Sequence, residues 1–112
     1  MYNQTANQQI AADVFHNYLD DAHLVLDDFK CYMHLDSMNK MKHLWGQLHM
    51  AGGAKYVYGS ADSDLDSQQW LMLRGKHVID ELIADAEKAK MKDSLKKLRE
   101  LRKILEEKNL IN

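Results

Sequence analysis

The sequence predicts an all-α fold, a small helical bundle of about four helices arranged as two αα-hairpins. Proline is absent, and four of the five glycines lie in the middle of the chain, within residues 46–59. The turn residues that strands and hairpins require are therefore scarce on both sides of that region. Hydrophobic residues make up 46% of the 112 residues, enough to build the core of a single domain over residues 1–112.

The first helix is predicted over about residues 6–34. Thr5 and Gln8 have the spacing of a capping box, in which each side chain bonds to the backbone of the other residue. Hydrophobic residues then recur at the spacing of a core-facing helix: Val14, Tyr18, Val25, Phe29 and Tyr32, flanked by Phe15, Leu19, Ala22, Leu26 and Met33.

A second helix is predicted over about residues 38–51, because its hydrophobic stripe does not continue the phase of the first. The break falls at residues 35–37, where Asp36 or Ser37 is the expected N-cap. The two glycines after Ala51 end this helix, and residues 52–62 form a connecting loop.

The third helix is predicted over about residues 64–90. Asp66 and Gln69 again have the spacing of a capping box. Gly75 lowers the helix propensity by about 1 kcal/mol, which suggests that a neighbouring helix approaches closely at this position.

The fourth helix is predicted over about residues 94–108. A slip in the hydrophobic phase near residues 91–93 favours two helices over one long bent helix, with Asp93 or Ser94 as the cap. The two halves of the chain show little similarity when Gln8 is aligned with Gln68, so we predict no internal repeat.

Charge and composition exclude several classes of protein. The net charge is -2, which argues against a polycation that coats nucleic acid. No apolar run approaches the ~20 residues of a membrane span, and the first residues lack the pattern of a secretion signal. Cys31 is the only cysteine, so no intrachain disulfide can form, and a cytoplasmic location is the expectation.

One candidate metal site lies on a single line of the first helix: His16, Asp20, His23 and Asp27. Imidazole and carboxylate at this spacing can bind zinc. The line falls almost opposite the hydrophobic stripe, so a solvated polar face is the preferred interpretation and no metal or cofactor is predicted.

Other chemical motifs are incomplete. Asp62, Asp64 and Asp66 begin like a calcium loop, but Ser67 stands where that loop needs glycine and Leu73 where it needs glutamate. Cys31 lacks a catalytic triad and is expected to be a small buried residue. The chain is therefore not predicted to be an enzyme.

The clearest signal is the distribution of charge. Residues 88–108 carry nine basic and four acidic residues, a net charge of +5, whereas residues 61–87 carry two basic and seven acidic residues, a net charge of -5. One side of the last helix presents Lys88, Lys92, Lys96, Arg99 and Lys103. This basic face is open to three interpretations: binding to phosphates, a solvated surface, or pairing with the acidic helices.

Aromatic residues and methionines supply candidate contacts with a partner. The chain has seven Met, and Trp45, Tyr56, Tyr58 and Trp70 surround the central loop. Such side chains are favoured at interfaces, although an ordinary core also contains them.

These observations favour a non-enzymatic protein-interaction module: a small adaptor, subunit or inhibitor. The predicted partner sites are Trp45, Tyr56, Tyr58, Trp70, Lys92, Lys96, Arg99 and Lys103. A homo-oligomer is expected through Leu98, Leu101 and Leu105, because a helix of this length needs a docking surface. Binding of nucleic acid through the basic helix is the first alternative, and a metal-binding bundle is the second.

Overall fold

A computed structural model describes residues 6–53 and 66–112, and every regular element in these two ranges is helical. The elements are α1 (Ala6–Asn17), α2 (Leu19–Cys31), α3 (Leu35–Ala51), α4 (Ser67–Trp70), a π segment (Leu71–Gly75), α5 (Lys76–Lys88) and α6 (Lys92–Glu107). The prediction of an all-α bundle is confirmed. Among the described residues, none of the helices combines the length and apolar composition that crossing a membrane requires.

The predicted helix over residues 6–34 is two helices. At Tyr18 the backbone leaves helical geometry (φ -112°, ψ 16°), although its amide still donates to the Val14 carbonyl. A break of one residue leaves the hydrophobic phase intact, so periodicity does not detect it. α2 also ends at Cys31, and Tyr32 is consequently exposed rather than buried in the core.

The turn from α2 to α3 is tighter than predicted. Met33 adopts a left-handed conformation (φ 60°), and the His34 amide donates to the Phe29 carbonyl at 2.8 Å. This pattern closes a helix and allows the next one to start at once. Because α3 begins at Leu35, neither Asp36 nor Ser37 is its N-cap.

The second half agrees more closely with prediction. The capping box of Asp66 and Gln69 is present, and α5 and α6 are separate helices. Asp93 and Ser94 do not cap α6, since Met91 occupies the N-cap position. The predicted Thr5 cap and the loop beyond Gly53 lie outside the described residues.

Helix α3 lies at the centre of the molecule, because it packs against α1, α2, α4 and α5. Its buried face carries Met41, Leu44 and Leu48, each 1% exposed. Gly75 does have a close neighbour, but not a helix. A β-carbon at Gly75 would lie 3.0 Å from Cγ2 of Ile111, in the segment after α6.

The structure shows an internal repeat in a different register from the one that aligns Gln8 with Gln68. The register that aligns Asp28 with Asp85 places the hairpin α2–α3 on the hairpin α5–α6. The identical pairs in this register are Asp28/Asp85, Asp36/Asp93, Ser37/Ser94, Lys40/Lys97, Leu44/Leu101 and Leu48/Leu105. Met33 corresponds to Lys90, and both are left-handed, with φ of 60° and 58°. The break at Tyr18 corresponds to Gly75, where the π segment ends.

Reciprocal hydrogen bonds join the two hairpins. The Ser37 hydroxyl donates to Asp85 at 2.7 Å, and the Ser94 hydroxyl donates to Asp28 at 2.5 Å. Both serines are buried. An exchange in which equivalent residues swap partners is the pattern that a two-fold axis generates. The two hairpins are therefore related as the halves of a pseudo-symmetric pair, with α3 packed on α5 and α6 packed on α2.

Candidate functional site

A cleft of about 590 Å³ runs between α3 and the pair α1 and α2. We call it the α2–α3 cleft. Helix α3 supplies one wall. Its lining residues recur three, four or seven positions apart, from Met38 to His49, so they share one face of the helix. The cleft is lined by Phe15, His23, Leu26, Asp27, Lys30, Met38, Lys42, Trp45, Gly46 and His49.

Aromatic rings form one end of the cleft. The Phe15 ring stacks on the His49 ring with centroids 4.1 Å apart and planes 8° apart, and on the Trp45 ring at 5.0 Å and 26°. Stacking at these distances stabilises the contact between α1 and α3. The Trp45 indole Nε1 is buried and has no hydrogen-bond partner among the described residues.

Charged groups line the other end. Lys30 on α2 and Lys42 on α3 are exposed, and no carboxylate of the described residues lies within 4.0 Å of either ammonium group in an ion pair. Asp27 stands on the same rim as Lys30. Two lysines against one aspartate leave this end of the cleft positive.

An exposed apolar turn adjoins the lysine end. Tyr32 is 58% exposed, Met33 75% and Leu35 50%. These residues follow Lys30 and precede Met38, both of which line the cleft. Large apolar side chains grouped beside a cleft are typical of a protein-interaction surface.

The two predicted aromatic anchors that the structure describes do not share a cleft. Both are buried, but Trp45 lines the α2–α3 cleft, whereas Trp70 lies outside it and meets the His43 ring edge-on at 4.8 Å. Tyr56 and Tyr58 lie outside the described residues. Of the two anchors that the structure describes, Trp45 alone lines the cleft.

The predicted basic face is partly neutralised by acids of the same chain. Arg99 bonds to Glu87 at 2.8 Å, and Lys103 lies 4.0 Å from Glu107. Within the described ranges, Lys92 and Lys96 are exposed and make no ion pair within 4.0 Å. Of the three interpretations of this face, pairing with acidic helices is observed at Arg99.

The three leucines assigned to an oligomer surface are buried within a single chain. Leu98 and Leu105 are 0% exposed and Leu101 is 4% exposed. They pack the core between α6 and its neighbours, so they offer no surface to a second copy. The hydrophobic stripe that suggested oligomer contacts is the inner face of this bundle.

The residues of the candidate metal site are divided by the break at Tyr18. His16 lies on α1, whereas Asp20, His23 and Asp27 lie on α2, and all four are exposed. No group of three His, Cys, Asp or Glu in the described part of the chain is placed to hold a metal ion.

The remaining motifs are placed as follows. Asp66 caps α4, while Asp62 and Asp64 lie outside the described residues. Cys31, which the sequence suggested would be buried, is exposed because α2 ends there.

Sequence reasoning missed Phe15, Lys30 and Lys42 as residues of a site. Phe15 was assigned to the core stripe, and the lysines belong to no motif. The sequence does contain one signal for these lysines, the register that aligns Asp28 with Asp85. In that register the basic residue Lys30 stands at the position of the acidic residue Glu87.

Comparison with known proteins adds no family to this description. The chain matches no protein-family model, no curated protein and no solved structure.

Proposed function

We propose that this protein is a non-enzymatic protein-interaction module, a small adaptor, subunit or inhibitor, that receives a segment of a partner protein in the α2–α3 cleft. The observation that carries the proposal is the cleft itself, with aromatic rings at one end and an exposed apolar turn at the other. Trp45 is 7% exposed and lines the cleft with that part of its ring, and Trp is a residue type on which binding energy concentrates at interfaces.

Site-specific cross-linking in the native cell tests this proposal. A benzophenone amino acid is placed at Lys42, on the wall of the cleft, and in a control protein at Lys76, an exposed lysine of α5 outside the cleft. We expect a protein to be captured through position 42 and not through position 76, both with and without nuclease treatment. Equal capture from the two positions would remove the cleft from the proposal.

The first alternative is a nucleic-acid-binding regulator that uses Lys88, Lys92 and Lys96. These exposed lysines support it, but the ion pairs of Arg99 and of Arg102 remove two cations from phosphate contact. Binding through three lysines would give a log-log salt slope of about -2.7 with duplex DNA. Gel-shift binding to duplex DNA with this salt slope would favour this alternative.

Self-association is a further part of the proposal. Because Leu98, Leu101 and Leu105 are buried, a second copy would have to contact other apolar residues, of which Tyr32, Met33 and Leu35 are the most exposed group. Light scattering of the purified protein tests it, and a monomer at high micromolar concentration would exclude it.

A further inference from the structure

The internal repeat supplies a second cleft for comparison with the first. This second cleft lies between α5 and α6 and is lined by Asp80, Ile83, Arg99, Arg102, Lys103 and Glu106. In the register that aligns Asp28 with Asp85, these positions correspond to His23, Leu26, Lys42, Trp45, Gly46 and His49. All six counterparts line the α2–α3 cleft. The two clefts are thus the same feature of two equivalent hairpins.

The second cleft is spanned by its own side chains. Arg102 on α6 bonds to Asp80 on α5 at 2.6 Å, and Arg99 bonds to Glu87 at 2.8 Å. Each of these pairs joins α5 to α6, the two helices that form the cleft. The two arginines that line this cleft are therefore already paired with carboxylates of the same chain.

The α2–α3 cleft has no counterpart of either ion pair among the described residues. Trp45 and His23 replace the pair of Arg102 and Asp80. Lys42 and Lys30 replace the pair of Arg99 and Glu87. Where the second cleft has an ion pair, the α2–α3 cleft therefore has two positive charges. An anionic group held between two lysines would restore the missing interaction.

We propose that the α2–α3 cleft selects an acidic amphipathic helix of a partner protein, with apolar residues against Trp45 and Leu26 and an Asp or Glu side chain between Lys30 and Lys42. The wall of α3 extends over twelve residues from Met38 to His49, with a rise of about 1.5 Å per residue, and so accommodates about three turns of helix. A helix satisfies its own backbone hydrogen bonds, whereas an extended peptide would need backbone partners that a wall of helices does not offer.

This inference rests on the proposed function, and a peptide selection distinguishes the two. Immobilised protein is used to select from a display library of randomised helical peptides of about three turns. We expect enriched peptides to carry apolar residues at positions i, i+3, i+4 and i+7, with an acidic residue beside that stripe. Selection of apolar peptides without an acidic preference would overturn the inference while leaving the proposed function intact. Absence of any enriched peptide would contradict both.

Charge reversal then tests the two lysines directly. Lys30→Glu recreates in this cleft the arrangement of Glu87 and Arg99, and should weaken a selected acidic peptide about tenfold. Lys42→Glu should do the same, whereas the matched control Lys76→Glu should have no effect. A peptide in which lysine replaces the acidic residue should bind the double variant Lys30→Glu/Lys42→Glu better than it binds the wild type. Equal binding of all variants would overturn the inference, and the circular dichroism spectrum of each variant confirms that it is folded.

Discussion

Met33 and Lys90 occupy equivalent positions after α2 and α5, and both have a left-handed backbone conformation. This conformation costs about 1–2 kcal/mol for a residue with a β-carbon, whereas glycine adopts it without strain. Met33 is also 75% exposed, so its side chain gains little from the core in return. The strain at Met33 is therefore not offset by burial of its side chain.

Met33→Gly should therefore stabilise the protein. Relief of the left-handed strain, less the greater flexibility of glycine in the unfolded chain, gives an expected gain of about 0.5–1 kcal/mol in the free energy of unfolding. Urea denaturation measures this change, with Met33→Ala as the control that keeps the strain. A loss of stability in Met33→Gly would show that the side chain packs in a way that its exposure does not indicate.

Ser94→Ala should destabilise the protein by about 1–3 kcal/mol, because the Asp28 carboxylate would lose a buried donor at 2.5 Å. Ser37→Ala removes the equivalent bond to Asp85 and should act in the same direction. Denaturation curves of the two variants test whether the hairpins are joined as the pseudo-symmetry implies. Two variants as stable as the wild type would contradict this account.

For single residues, the sequence predicted which side chains of a helix are buried better than it predicted which are exposed or paired. Phe29 and Leu98 fall on periodic stripes, so their burial was predictable. The exposure of Tyr32 was not, because it depends on a helix end set by the hydrogen bond from His34 to Phe29. The pairing of Ser94 with Asp28 was likewise hidden, since it joins residues of different helices.

Among the helices, α3 and α5 are held together by Lys40, which lies 2.8 Å from Glu81. The hydrogen bond from Lys40 holds the pKa of Glu81 below its ordinary value of 4.5, and the same bond raises the pKa of Lys40 above 10.5. A carboxylate whose pKa is lowered on folding stabilises the fold at pH values above its ordinary pKa. This contribution is lost as the pH falls through the pKa of the folded state.

Glu81→Gln should therefore reduce the loss of stability on acidification from about pH 7 to about pH 3. The reason is that glutamine cannot take up the proton that breaks the contact with Lys40. Urea midpoints at the two pH values measure the difference between variant and wild type. The exposed acid Glu100 provides the matched control Glu100→Gln. Identical acid sensitivity in the Glu81 variant and the wild type would show that this ion pair does not connect the helices energetically.

The close contact of Gly75 with Ile111 makes a second prediction about elements. Gly75→Ala gains about 1 kcal/mol of helix propensity, but its β-carbon would crowd Ile111 at 3.0 Å. Crowding of this kind costs about 1–3 kcal/mol, so after the gain in propensity the variant should be up to about 2 kcal/mol less stable than the wild type. In an Ile111→Ala background the same substitution should become stabilising. Destabilisation of equal size in both backgrounds would show that the π segment, rather than Ile111, requires glycine.

Element boundaries were predicted where a side chain or a change of phase marks them, as at Asp66 and between α5 and α6. Boundaries were not predicted where backbone geometry alone, without a marker side chain, ends or starts a helix. The break at Tyr18 and the start of α3 at Leu35 depend on carbonyl and amide geometry that many sequences share. Prediction from the sequence alone therefore gave the class of fold and the order of helices, but one helix too few in the first half.

At the scale of the whole molecule, two equivalent hairpins carry two different clefts. The second cleft is spanned by ion pairs of Arg99 and Arg102, whereas the α2–α3 cleft presents Trp45 and two lysines without acidic partners among the described residues. This difference could not be predicted from composition, because it appears only when the correct register of the repeat is known. It is the structural basis of the proposed function.

The most direct test of this account is a chemical-shift map of the labelled protein titrated with the tightest peptide from the selection. The account predicts shifts at Phe15, Leu26, Lys30, Lys42 and Trp45, and none at the equivalent positions of the second cleft, such as Arg99 and Arg102. The second cleft is thus a control within the same molecule. Shifts centred on α6, or of equal size in both clefts, would contradict the claim that the α2–α3 cleft is the binding site.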